Sequence, residues 1–119
     1  MRDHRKLRAF QLADKLVLSI YGATKAFPKD EQFGLTSQLR RASVSVASNI
    51  VEGCARRSEG DYLRFLDLAF GSVREVEYQL SIADRLGYLP NELASKLAAH
   101  ANETSRVIAA LLNSLRNDK

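Results

Sequence analysis

The chain has 119 residues, 45% of them hydrophobic and 27% charged, a balance that excludes disorder and suffices for one ordinary core without disulfides or metals. Six glycines and two prolines are too few for a turn-rich β protein, and a single cysteine, Cys54, excludes an internal disulfide. The net charge of +4 is modest for a nucleic-acid binder, so its distribution matters: residues 1–28 carry six basic and two acidic groups, whereas 58–88 carry three and six.

The N-terminus, MRDHRKLRAF, is charged and leads into an amphipathic pattern, which argues against a secretory signal. No apolar run reaches the ~18 residues of a membrane span, so a cytoplasmic location without a membrane partner is expected. Arg2, Arg5, Lys6 and Arg8 form a basic cluster within the first eight residues, which are expected to fray. Phe10, Ala13, Leu16, Val17, Ile20, Tyr21, Thr24 and Phe27 then recur at three- and four-residue steps and predict a first helix over 9–27. Pro28 ends it and disfavours helical backbone at Phe27, leaving 27–34 as a connector with one short turn.

The next segment predicts a helix over 35–57 with two apolar faces. Leu35, Leu39, Ala42, Val46, Ile50 and Gly53 line one side, and Val44, Val51 and Ala55 the other. A helix buried on two sides usually has a second chain against it. Arg41, Ser45, Ser48, Glu52 and Arg56 fill the narrow polar stripe between the faces. Gly53 suggests a close backbone approach, because it costs up to ~1 kcal/mol against alanine in a helix, and Cys54 reads as a packed thiol.

Ser58 is placed to cap a third helix over 59–86, with Glu59 and Asp61 at the positive end of its dipole. Its main stripe runs through Tyr62, Phe65, Leu66, Ala69, Val73, Val76, Leu80 and Ala83, and Leu63 and Phe70 widen the apolar surface. Gly87 supplies a left-handed cap and Pro90 suits the first turn of a fourth helix over 90–116, with Leu97, Ala101, Thr104, Ile108, Leu111 and Leu115 as its stripe. The last three residues are expected to fray. The expected architecture is all-α: an antiparallel up-down-up-down four-helix bundle, one domain over 1–119.

Chemistry is sparse. His4 and His100 lack carboxylates at metal-motif spacing, Glu75 and Glu77 point apart on a helix, and there is no phosphate loop, nucleophile elbow or Cys–His pairing. No enzyme activity, catalytic residue, metal or cofactor is expected. Among the polar residues, Glu52 precedes Arg56 by four, an ion-pair spacing, and Arg41 shares their stripe. Asn49 and Gln79 lie beside apolar stripes and are expected to hydrogen-bond between helices. Arg41, Asn49, Glu52, Arg56 and Gln79 therefore read as structural. Arg40, Arg57 and the N-terminal cluster remain as phosphate-binding candidates, and Val44, Val51, Ala55, Leu63 and Phe70 as a face for a second copy.

The run FPKDEQFGLTSQLRRASVSVASNIVEG, followed by RFLDLAFGSVREVEYQL and LGYL, resembles the four-helix-bundle proteins encoded by intervening sequences within bacterial 23S rRNA genes. The most specific elements are Arg40-Arg41-Ala42 leading to Ser48-Asn49-Ile50 and Glu52-Gly53, then Gly71-Ser72 with Glu75, Glu77, Gln79 and Leu80. The resemblance implies small antiparallel bundles that assemble as homopentamers. It extends to the accessory variability determinant of diversity-generating retroelements, a basic pentamer that works with a reverse transcriptase and RNA. Ala47 stands where that family commonly has proline, Val51 where it has alanine, and Gly60 where it is often basic. Two readings follow: an oligomer that binds RNA or DNA through its basic surface, or a scaffold without nucleic-acid affinity that docks a polymerase.

Overall fold

Four amphipathic stretches form α1 (Arg8–Thr24), α2 (Leu35–Cys54), α3 (Glu59–Arg85) and α4 (Asn91–Asn117) in the computed structural model, which describes residues 2–117. Single 3₁₀ turns, His4–Lys6 and Lys29–Glu31, precede α1 and α2. Each helix packs on its sequence neighbours, α1 and α4 close the square, and the diagonal pairs do not meet among the described residues. Short connections make successive helices antiparallel, giving the up-down-up-down bundle. At about 1.5 Å per residue a 27-residue helix spans ~40 Å, so the 46 Å long axis is little more than one helix length.

The core is aliphatic and spaced at the helical period. Leu16 and Ile20 of α1, Leu39, Val46 and Ile50 of α2, Leu66, Val73 and Val76 of α3 and Ile108 of α4 are fully buried. Each contributes roughly 1.5–3 kcal/mol of hydrophobic stabilisation. Gly53 lets α2 and α3 approach closely: a Cβ there would lie 2.9 Å from the Phe65 Cβ and 3.3 Å from Tyr62 Cδ1. Two caps match the sequence reading. Ser58 Oγ accepts the Asp61 N–H, and Gly87, at φ +78°, lets the Tyr88 N–H reach the Ala83 carbonyl at 2.9 Å.

Two helices end earlier than expected, and at each end another segment supplies a partner. α1 stops at Thr24, where the Arg40 guanidinium donates to Thr24 Oγ1 at 2.9 Å and to the Tyr21 carbonyl at 3.4 Å. α2 stops at Cys54 because the Ala55 and Arg56 N–H groups tighten onto the Glu52 and Gly53 carbonyls, while the Cys54 carbonyl accepts the Arg2 N–H at 3.0 Å. That last bond also corrects the expected fraying of the N-terminus. Asp3 caps the His4–Lys6 turn through the Arg5 N–H, and the His4 ring packs edge-on against Phe10 at 4.7 Å. At the other end, α4 runs through Asn117, and the remaining expectation of fraying lies outside the described residues.

Candidate nucleic-acid interface

The N-terminal cations are mostly engaged within the chain. Arg5 pairs with Asp3 at 3.0 Å, which holds the Asp3 carboxyl below its ordinary value and the Arg5 guanidinium above its own. Arg8 on α1 reaches Glu103 on α4 at 2.6 Å, and the Arg2 guanidinium lies 3.8 Å above the Tyr62 ring. Lys6 alone of the four is exposed with no partner among the described residues. Both ion pairs are exposed, so water and salt screen them and they add little to stability.

On α2 the two adjacent arginines exchange the roles the sequence suggested. Arg40 points toward the end of α1, where a cation suits the negative end of the helix dipole, and its guanidinium also sits 4.6 Å from the Tyr21 ring centroid. Arg41, one position and roughly 100° further round the helix, is exposed and has no partner among the described residues. The expected Glu52–Arg56 ion pair does not form: Arg56 Nε donates to the Glu52 main-chain carbonyl at 3.3 Å, and its guanidinium faces Phe65 at 5.0 Å. Packing against that ring turns the guanidinium away from the carboxylate. Arg57 is exposed and unpartnered among the described residues.

The two amides bond along their own helices rather than between them. Asn49 Nδ2 donates to the Ser45 carbonyl at 2.8 Å and to Ser45 Oγ at 3.0 Å, and Ser45 Oγ meets Ser72 Oγ of α3 at 2.9 Å. The interhelical bond is thus one side chain removed from Asn49. Gln79 Nε2 donates to Glu75 Oε2 at 3.4 Å one turn back, while its buried Oε1 has no partner among the described residues. Cys54 is buried, and that burial pushes its thiol up.

Of the five residues expected to face a second copy, Val44 and Ala55 are exposed and Val51 is half-buried, so the outer face of α2 is left largely uncovered by its own bundle. Leu63 is a correction. It is 8% exposed and belongs to the core, because α3 packs on both α2 and α4 and so buries an arc wide enough for the adjacent Tyr62 and Leu63. Phe70 is half-buried against the core, in a concavity of about 210 Å³ between α3 and α4.

The largest surface anomaly is one the sequence reading missed. Phe33 is 91% exposed, which forgoes the roughly 1.5–3 kcal/mol that burying such a side chain yields. Its backbone is nonetheless held on both sides. Gln32 N–H bonds the Lys29 carbonyl, Gly34 N–H the Glu31 carbonyl, and the Glu31 carboxylate accepts both the Leu35 N–H at 3.0 Å and the Tyr88 hydroxyl at 2.8 Å. Those bonds hold the Glu31 carboxyl below its ordinary value, and the adjacent carboxylate raises the Tyr88 phenol. The only sequence signal was an aromatic in a polar connector, DEQFG, with no stripe to join.

Among the described residues no group of three or more His, Cys, Asp and Glu is placed to hold a metal, and no helix is long and apolar enough to cross a membrane. The geometry is therefore that of a helical bundle whose surface offers cations and apolar patches. A family model, the 23S rRNA-intervening sequence protein, matches residues 5–110. The chain belongs to that family. A solved structure of a protein with unknown function from the S23 ribosomal protein family of Bacteroides thetaiotaomicron superposes with a TM-score of 0.81, covering 88% of this chain and 95% of that chain. At 19% identity that likeness speaks to the fold of the 23S rRNA-intervening sequence family member described above and to nothing finer. No curated protein matches the chain.

Proposed function

We propose that the chain forms a non-enzymatic cytoplasmic homo-oligomer, a pentamer as the family resemblance implies, whose basic surfaces bind RNA or DNA. The observation that carries this reading is the outer side of α2. Val44, Val51 and Ala55 lie there outside the core, and Arg41 and Arg57 stand toward the two ends of the helix without partners among the described residues. Copies arranged around an axis repeat the +4 charge of each chain, so a modest monomer charge becomes a strong collective field. Lys6, Arg41 and Arg57 are the cations best placed to contribute.

The test is the salt dependence of binding to a labelled single strand. The slope of log affinity against log salt is expected near −0.7 per phosphate neutralised, and alanine at Lys6, Arg41 and Arg57 flattens it. Affinity indifferent to salt between low and physiological strength overturns the reading. One observation favours the alternative, a scaffold for a reverse transcriptase or other polymerase: Arg2, Arg5, Arg8 and Arg40 are all engaged within the chain. The scaffold predicts an oligomer with no affinity for nucleic acid at physiological salt.

A further inference from the structure

We infer that the end of the bundle formed by the α1–α2 connector carries the base-stacking subsite of the nucleic-acid surface, with Phe33 as a platform on which an unpaired base stacks and Arg41 as its phosphate clamp. The inference rests on the nucleic-acid reading above and gives it a place. That end lies away from the N-terminal cluster, which sits beside the last turn of α2. Phe33, Ser37 and Arg41 recur every four residues, so they share one side of the connector and the start of α2. Together they line both of two shallow concavities, of about 430 and 320 Å³.

The two concavities differ in charge. Glu75 lines the larger one, beside Gln38 and Ser45, and repels a phosphate. Tyr21, Gln32 and Arg40 line the smaller one, which continues past Gln32, Thr36 and Arg40 into a third depression bordered by Lys25 and Lys29. Both lysines are exposed with no partner among the described residues. The connector's two acidic residues, Asp30 and Glu31, line neither of these depressions, and the Glu31 carboxylate is turned to the Leu35 N–H and the Tyr88 hydroxyl. The trough thus runs from an exposed aromatic past a line of cations, the arrangement that holds single strands by stacking and backbone charge.

Several features suit a nucleobase better than an apolar side chain of a partner protein. Phe33 is a rigid ring on a hydrogen-bonded pedestal, so little order is lost on stacking. Tyr21, with the Arg40 guanidinium over its ring, is 40% exposed along the same trough. Ser37, Gln32 and Gln38 surround Phe33 with donors and acceptors of the kind that meet base edges, whereas an apolar partner would leave them unpaired.

The chain contains no tryptophan, so Phe33→Trp places a single indole reporter on the platform. The experiment titrates the full chain with short labelled oligouridylate and oligothymidylate single strands, and with a duplex of equal length. Expected results are quenching of the indole emission of the Phe33→Trp variant by either single strand, weaker binding of the duplex, and a loss of about fivefold or more in affinity for Phe33→Ala, the low end of base–aromatic stacking. Arg41→Ala should weaken binding and flatten its salt slope. Phe33 is almost wholly exposed, so its replacement leaves the fold intact, as circular dichroism will record. Unchanged affinity in Phe33→Ala with no quenching, while the wild type binds, overturns the platform and leaves nucleic-acid binding standing. No binding by the wild type removes both. A drop in mass for Phe33→Ala would make Phe33 a contact between copies and overturn the proposal.

Discussion

Arg40 and Arg41 differ by one position, yet one closes the end of α1 and the other faces solvent. Their neighbourhood in sequence is identical in chemistry, so only the rotation between adjacent helical positions separates the roles. Replacing Arg40 by alanine removes a charge-assisted bond to a buried threonine and is expected to cost roughly 1–2 kcal/mol, seen as a melting temperature lower by a few degrees. Arg41→Ala should leave the melting temperature unchanged, since its guanidinium meets nothing among the described residues. Thermal unfolding of the two variants side by side checks the assignment. Equal shifts would contradict it. Asn49 illustrates the same limit: its amide was legible as structural, but the bond that crosses to α3 belongs to Ser45, a hydroxyl no periodicity would single out.

Whole elements were easier to read than their ends. The caps at Ser58 and Gly87 are local chemistry, set by residues within one turn, and they stand where the sequence placed them. The connector is different, because Glu31 works through Tyr88, 57 residues away. The folded state lowers the Glu31 pKa, so its contribution is complete above the ordinary carboxylate value and is lost as pH falls through the lowered one. Tyr88 is raised, so its contribution is complete below the ordinary phenol value and is lost as pH rises through the raised one. The stability difference between wild type and Glu31→Gln should therefore be widest between these limits and shrink in acid. Melting temperatures of both proteins measured across pH test this, and a difference that stays constant into acid would count against the clamp. Loss of the clamp should also loosen the Phe33 pedestal, since the same carboxylate caps α2.

For the molecule as a whole, the decisive surface is the one the bundle leaves uncovered. Val44 is 38% exposed and Val51 half-buried on the outer side of α2, so a glutamate at either site is tolerated by a lone chain. Within an assembly the same glutamate would be an unpaired buried charge, a penalty of several kcal/mol. Val44→Glu and Val51→Glu are therefore expected to lower the mass measured by light scattering while leaving the helical circular dichroism signal in place. A variant that keeps the wild-type mass, or a wild type that is itself a single chain, would overturn this face as an interface. Leu63 would have been a poor choice for this test, since it lies in the core and its replacement would unfold the chain rather than separate copies.

The bundle itself was written in the spacing of apolar residues, because the helical period and the capping groups act within a few positions of one another and short connectors leave few ways to pack four such helices. The family motif in α2 and α3 was legible for the same reason, as a contiguous run. What only the folded chain decided is which polar and aromatic groups remain available. That depends on partners distant in sequence: Thr24 for Arg40, Glu103 for Arg8, Tyr62 for Arg2, and almost no cover from the described residues over Phe33. A cation's neutralisation and an aromatic's burial are set by how helices meet in space, and one helical step of rotation reverses either.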